Sequence, residues 1–203
     1  MRIINLYPGS WGSNCYLLIS GTHAAVVDPS PKPEQILNLL QQEGAALEYI
    51  LLTHGHFDHI VSLDALRQIT GVPALIHEQD AELPSDAVKN GFRIFFRMDK
   101  TYRAPDQTLH ADQILKLGDE EIRVIHTPGH TAGSVCYLCN GEFLLTGDTL
   151  FDAGRGRTDL YGGNEAQLMQ TLEAMRSLPQ SLPIYPGHGS PATLGIALDN
   201  VIY

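Results

Sequence analysis

The stretch Thr53-His54-Gly55-His56-Phe57-Asp58-His59-Ile60 places three imidazoles and one carboxylate within six residues. It follows an apolar run at 49–52, so it begins where a predicted strand ends. Imidazole and carboxylate groups are the ligands that zinc and iron prefer in proteins. The alternative, a polar loop at a strand end, accounts poorly for such a density of ligand-type side chains. The stretch therefore predicts a metal site.

The spacing inside this stretch suggests that its ligands are shared between two metals. His54 and His56 are separated by one residue, so they project to the same side of an extended loop and can bind one ion. Asp58 and His59 come as the chain turns into the next helix, which lets them address a neighbouring ion. Each ion still needs ligands from distant loops. Three ligand-type residues flanked by glycine are the natural candidates: His130, Asp148 and His188.

Strand-like and helix-like runs alternate along the chain, which predicts an α/β fold. Helical periodicity predicts helices over 33–43, 60–70, 165–177 and 192–201. Strands are predicted over 14–20, 24–27, 49–53, 74–77, 114–117, 122–125, 134–138 and 143–145. The candidate ligands follow strands, so we expect their loops to converge on one site. Residues 82–112 are irregular and aromatic, and they are either a mobile lid or a surface loop packed on the core.

Length and composition limit the kinds of partner. The 203 residues predict a single domain over 1–203, and the net charge of −10 argues against nucleic acid as a partner. No apolar run is long enough for a transmembrane helix, so we expect no membrane association. Three cysteines and an N-terminus without a signal-peptide pattern predict a cytoplasmic location. A small-molecule substrate is therefore expected, and the oligomeric state stays open.

The order of the motifs resembles that of the metallo-β-lactamase superfamily over nearly the whole chain. H-x-H-x-D-H is followed by T-P-G-H-T around His130, G-D-T around Asp148 and P-G-H-G around His188. Within the superfamily the chain looks most like glyoxalase II, the hydroxyacylglutathione hydrolases, in a short single-domain form. The resemblance implies a four-layer αβ/βα sandwich of two mixed β-sheets flanked by helices. Full-length glyoxalase II has a further C-terminal helical domain that contacts glutathione, and the chain is expected to depart from the family in having no such domain.

The resemblance implies two divalent metal ions, zinc first, with iron or manganese as alternatives. It assigns His54, His56 and His130 to one ion, Asp58, His59 and His188 to the other, and Asp148 to both. The implied activity is hydrolysis of a thioester, such as a hydroxyacylglutathione, by a metal-bridging hydroxide. Asp58 would then be catalytic as well as a ligand, because it would orient the hydroxide.

Substrate-binding candidates lie in the glycine-rich stretch after the G-D-T motif. By motif alignment Arg157 occupies the position of a basic residue that contacts glutathione in glyoxalase II, and a guanidinium suits a carboxylate. Arg155 and Tyr161 are further candidates. A structural arginine, paired with Asp152 or Asp159, is the alternative interpretation of Arg157.

Other activities of the same superfamily remain as alternatives. A persulfide dioxygenase would use one iron, and it shares the G-R-T-D stretch at 156–159. Retention of Asp58, His59 and His188 favours two metals and hydrolysis instead. A nuclease fits poorly with the negative charge, and a binding module fits poorly with seven filled ligand positions. Hydrolysis of another ester, a lactone or a phosphodiester is less favoured than thioester cleavage.

Overall fold

A computed structural model of the chain describes residues 1–6 and 12–201. The first sheet contains β1 (Arg2–Leu6), β2 (Cys15–Ser20), β3 (His23–Val27), β4 (Ala46–Leu51), β5 (Ala74–His77) and β6 (Gln107–Leu109), in that order. The second contains β7 (Ile114–Leu117), β8 (Glu120–His126), β9 (Val135–Cys139), β10 (Phe143–Gly147), β11 (Pro183–Pro186) and β12 (Ala192–Thr193). It too is ordered sequentially, from β12 at one edge to β7 at the other.

Helices cover the outer face of each sheet. The described helices are α1 (Pro33–Glu43), α2 (Leu63–Thr70), α3 (Phe92–Phe96), α4 (Glu165–Met175) and α5 (Leu194–Asp199). α1 and α2 pack on the first sheet, and α4 and α5 pack on the second. Both sheets mix parallel and antiparallel pairs. The four-layer sandwich predicted from the sequence is therefore confirmed.

Alternation along the strands explains the layers. On β2, Leu17 and Ile19 face α1 and α2, whereas Tyr16 and Leu18 belong to the cluster between the sheets. The same central cluster contains Tyr137 of β9, whose hydroxyl donates to the carbonyl of Leu52 at 2.7 Å. Apolar burial on both faces thus fixes the register of the central strands.

Strand direction brings the motif loops together. β3, β4 and β5 run parallel, so their carboxyl ends lie at one edge of the first sheet. In the second sheet β8, β10 and β11 share one direction, because β9 is antiparallel to both of its neighbours and β10 is parallel to β11. The loops after β4, β8, β10 and β11 carry the candidate ligands. The predicted convergence of these loops is what the structure shows.

Several predicted boundaries were wrong. α2 begins at Leu63 rather than 60, because the chain first makes tight turns in which the amide of Leu63 donates to the carbonyl of Ile60. The predicted helices over 165–177 and 192–201 are shorter, since α4 ends at Met175 and residues 192–193 pair with β11. The irregular segment at 82–112 contains α3 and β6.

No helix among the described residues has both the length and the apolar character needed to cross a bilayer.

Candidate metal centre

The first group of candidate ligands is formed by His54 and His56 after β4 and His130 after β8. His130 Nε2 lies 2.9 Å from His56 Nδ1 and 3.2 Å from His54 Nε2. All three side chains are buried. Three imidazole nitrogens of the kind that bind zinc therefore face one point.

The second group, Asp58, His59 and His188, lies directly beside the first. His188 Nε2 is 3.2 Å from Asp58 Oδ2, and His59 Nε2 is 4.0 Å from the same oxygen. The ligand atoms of this trio lie within 4.8 Å of one another, as do those of the first group.

Asp148 stands between the two groups. Its Oδ1 lies 3.2 Å from His59 Nε2, and its Oδ2 lies 3.7 Å from His130 Nε2 and 3.6 Å from His188 Nε2. One carboxylate thus approaches a member of each group, which is the position the sequence predicts for a shared ligand. The structure brings all seven predicted metal ligands together.

Three buried atoms at this centre test whether the residues fit metal ions. Among the described residues, His56 Nε2, His59 Nε2 and Asp148 Oδ1 have no partner in hydrogen-bond geometry. Buried polar atoms without partners are rare because their desolvation is not compensated. Imidazole nitrogens that approach one another at 2.9 Å point the same way, since nitrogen lone pairs repel unless a proton or cation lies between them. The donor set therefore fits divalent cations.

The protonation states favoured by the fold differ between the two groups. Burial lowers the pKa of His56 to about 3 and holds the pKa of His54 well below its usual value, with neighbouring imidazoles adding to the effect. For His59, burial acts in the same direction, but nearby carboxylates, led by Asp148, outweigh it and raise the pKa. Burial would raise the pKa of Asp148, yet His59 holds it well below normal. Metal ions bind the neutral imidazole and the ionised carboxylate. The lowered pKa values favour these forms for His54, His56 and Asp148, whereas the raised pKa of His59 favours its protonated form.

Asp28, at the end of β3, orients the ligand loop and was missed from the sequence. Its carboxylate accepts from His59 Nδ1 at 2.8 Å, from the Thr53 amide at 2.8 Å and from the Thr53 hydroxyl at 2.7 Å. A carboxylate behind a histidine fixes the ring and turns its other nitrogen toward the metal. Asp28 also follows a buried strand, so the rule that located the ligands could have found it.

Asp80 links two ligand loops and was likewise missed. Its buried carboxylate accepts from the amide of Gly55 at 3.2 Å, the amide of Gly133 at 2.7 Å and the hydroxyl of Thr131 at 2.7 Å. Burial raises its pKa despite these hydrogen bonds. No ligand motif includes this position, so nothing in the sequence distinguishes it from a surface aspartate.

Close backbone contacts hold the P-G-H-G loop in place. The amide of Gly187 donates to the carbonyl of Gly147 at 2.7 Å, and the Tyr16 hydroxyl donates to the carbonyl of Pro186 at 2.7 Å. A Cβ atom on Gly187 would collide with Asp148 Oδ1 and lie 2.7 Å from His59 Cε1. Glycine is required here because the backbone approaches the centre too closely for a side chain.

A cavity of about 730 Å³ opens over the two ligand groups. Its lining combines candidate ligands with aromatic side chains and one arginine, Arg157. The Arg157 guanidinium is bound by both carboxylate oxygens of Asp159, at 2.6 and 2.7 Å, as the alternative interpretation foresaw. Its backbone carbonyl meets His130 Nδ1 at 2.7 Å and so orients that ring.

The other two substrate-binding candidates lie beside the cavity. Arg155 pairs with Glu165, and the Tyr161 hydroxyl donates to Glu82 at 2.9 Å. Neither is among the described residues that line the cavity. Their role in binding substrate stays a prediction.

Comparison with known proteins agrees with this geometry. The sequence model of the Metallo-beta-lactamase superfamily matches residues 8–188. The chain is 34% identical over 179 residues to "Probable metallo-hydrolase YqgX" of Bacillus subtilis (strain 168), covering 87% of this chain and 85% of that protein. The solved structure of the BLEG-1 B3 metallo-beta-lactamase superposes with a TM-score of 0.90 at 32% identity, covering 98% and 97% of the two chains. A di-iron-bound form of TTHA1623 superposes at 0.81 and 31% identity, covering 97% and 96%.

Proposed function

This chain belongs to the metallo-β-lactamase superfamily, and on that premise we propose that it is a hydrolase that works with two divalent metal ions. The observation that carries the proposal is the second ligand group, Asp58, His59 and His188, complete beside the first and joined to it by Asp148. A one-metal enzyme would need only one of these groups. The di-iron form of TTHA1623, a structure of similar fold, supports the same interpretation.

The residues divide the work of hydrolysis between them. Bound divalent ions would supply hydroxide at neutral pH and polarise the substrate carbonyl. Asp58 lines the cavity, so its carboxylate can orient the attacking water and accept its proton. His59 is held by Asp28 and cannot rotate away from the centre. The new C–O bond forms as the bond to the leaving group breaks, giving a carboxylic acid and the released group.

We further propose a thioester as the substrate, with hydroxyacylglutathione as the member suggested by the motif resemblance. A thiolate leaves readily because a thiol pKa is about 8.5, so no dedicated general acid is needed. Zinc is the proposed ion, with iron as the alternative, since imidazole suits both. A small molecule fits a cavity of about 730 Å³, whereas a net charge of −10 opposes nucleic acid.

The test is turnover of S-D-lactoylglutathione by metal-free protein reloaded with zinc or with iron. We expect thiol release that depends on added metal and falls by at least about a hundredfold in Asp58→Ala. Asp119→Ala removes an exposed carboxylate far along the chain and serves as the control.

Oxygen consumption with glutathione persulfide, measured on the iron-loaded protein, is the opposing outcome. Oxygen uptake without thioester cleavage would replace hydrolysis by dioxygenase chemistry. Full hydrolysis by Asp58→Ala would refute the role given to that carboxylate.

A further inference from the structure

The wall of the cavity beside the ligand groups is aromatic. Phe57 lies in the ligand loop itself, between His56 and Asp58, and its ring centroid is 5.5 Å from those of Phe95 and Phe96 on α3. All three phenylalanines line the cavity. Phe151 and Leu160 line it as well, from the loop after β10. Apolar surface therefore begins immediately beside the candidate reaction centre.

This aromatic wall is fixed to the ligand loop by backbone hydrogen bonds. The carbonyl of Asn90 accepts from the amide of Phe57 at 2.9 Å, so the segment before α3 is tied to the ligands. The buried Asn90 side chain accepts from the amide of Phe92 at 2.9 Å and donates to the carbonyl of Lys100 at 3.0 Å. Both ends of the α3 segment are thereby held, and the wall is pre-formed.

The positive charge in the lining of the cavity is already paired. Among the described residues that line the cavity, Arg157 carries the only permanent positive charge, and Asp159 binds it through both carboxylate oxygens. The Arg157 guanidinium also lies 5.6 Å above the ring of Phe95, so the aromatic wall covers one of its faces. Outside the lining, Lys89 pairs with Glu82 at 2.6 Å.

We propose that the substrate of this site carries an apolar group of about aromatic size next to the scissile carbonyl, seated against Phe57, Phe95 and Phe96. The inference rests on the proposed thioester hydrolysis and changes the favoured substrate from hydroxyacylglutathione to a thioester that carries an apolar group. A preformed apolar wall stabilises an apolar group by removing it from water, whereas the charged backbone of glutathione gains little there. The apolar group belongs either to the acyl part or to the thiol part of the thioester.

Three thioesters measured with the zinc-loaded protein test the proposal. S-acetyl-N-acetylcysteamine is the reference, S-phenylacetyl-N-acetylcysteamine adds a ring to the acyl part, and S-benzyl thioacetate replaces the N-acetylcysteamine thiol by one that carries a ring. We expect kcat/KM to rise at least about thirtyfold for one of the two ring-bearing substrates, because an apolar pocket discriminates by such factors. The ring-bearing substrate with the higher kcat/KM identifies which part of the thioester faces the aromatic wall.

Phe95→Ala should lower kcat/KM for the preferred ring-bearing substrate about tenfold, mainly through KM, and should lower kcat/KM for the reference substrate by a smaller factor. Ile94→Ala is the matched control, because Ile94 is on the same helix, is 52% exposed and does not line the cavity. Ile94→Ala should leave kcat/KM unchanged for all three substrates. Phe95 is itself 50% exposed, so its removal leaves the core intact.

Binding of uncleavable thioethers separates this proposal from the one on which it rests. If the acyl part faces the wall, S-(2-phenylethyl)- and S-ethyl-N-acetylcysteamine are compared by calorimetry with the zinc-loaded protein; if the thiol part does, benzyl ethyl sulfide replaces the first compound. The two compounds should differ about tenfold in Kd, and Phe95→Ala should remove the difference. If no thioester is cleaved but this difference is found, thioester hydrolysis fails and the aromatic site stands. Cleavage of all three thioesters with equal kcat/KM, unchanged in Phe95→Ala, overturns the aromatic site and leaves hydrolysis standing.

Discussion

Asp80 joins the H-x-H loop to the T-P-G-H loop, so its removal should weaken both the fold and the metal centre. Asp80→Ala leaves the amides of Gly55 and Gly133 without the acceptor they have in the structure. The Thr131 hydroxyl loses less, because Ser134 Oγ lies 2.7 Å away. Two buried donors left unpaired cost about 2–6 kcal/mol in total.

Removing the carboxylate also removes the cost of burying its charge, so the low end of that range applies. The raised pKa of Asp80 shows that its hydrogen bonds do not fully offset burial. We therefore expect Asp80→Ala to lose about 2–3 kcal/mol of unfolding free energy. Asp80→Asn keeps one acceptor and should lose about 1 kcal/mol.

Urea unfolding of the zinc-loaded protein, followed by circular dichroism, measures these differences. Zinc affinity, measured by competition with a chromogenic chelator, should fall about tenfold in Asp80→Ala, because the loops that carry His54 and His130 are no longer joined. Asp119→Ala, an exposed carboxylate, should change unfolding by less than about 0.5 kcal/mol. An Asp80→Ala protein as stable as that control, with unchanged zinc affinity, would refute the role given to Asp80.

Three further perturbations address other parts of the site. Asp28→Ala removes the acceptor behind His59, so zinc should bind to the second ligand group about 10–100-fold more weakly; two equal affinities in a zinc titration would contradict this. Gly187→Ala drives a methyl group into Asp148, so metal binding and turnover should both be lost; retention of two zinc ions by elemental analysis would show that the loop can move away. Burial of His77, with His126 stacked on it, lowers its pKa to about 4. Between pH 6.5 and 4 the unfolded chain therefore binds a proton at His77 that the folded chain does not bind. The contribution of His77 to the unfolding free energy is complete above pH 6.5 and is lost as the pH falls toward 4. His77→Gln should reduce this slope in urea midpoints measured across that range, and an identical slope would assign it to other groups.

The ligands could be predicted from the sequence because each lies in a short local motif at the end of a strand. The end of a strand can be recognised in the sequence as a change from apolar to polar residues. In the folded chain the two sheets bring these strand ends to one edge. The roles of Asp28 and Asp80 were not predicted from the sequence, because these residues act through buried hydrogen bonds to residues 25 to 53 positions away in the chain. Such contacts leave no periodic or compositional trace in the sequence.

Four strands were not predicted. Three of them, β1, β6 and β12, are edge strands, and the fourth, β11, lies inside the second sheet but is short and has proline at both ends. An edge strand pairs on one side only and is less completely buried, so its apolar alternation is weak. β6 consists of Gln107, Thr108 and Leu109, of which only Leu109 is buried. The edge strand β7 was predicted nevertheless, because its residues alternate between exposed and buried along its whole length.

The aromatic wall shows a different limit. Residues 91–98 were recognisable as aromatic, but the sequence did not decide between a lid over a pocket and a surface loop packed on the core. Their position depends on the hydrogen bonds that Asn90 makes to Phe57 and to both ends of the α3 segment. Only the folded chain reveals that the H-x-H-x-D-H loop carries one of the wall's own phenylalanines.

The most direct test of a two-metal centre is the number of zinc ions bound per chain at saturation. Metal-free protein is titrated with zinc, freed of excess metal by gel filtration, and analysed for zinc and for protein. The two ligand groups that share Asp148 predict two ions per chain. One ion per chain at saturation would contradict the account, because Asp58, His59 and His188 would then hold no metal.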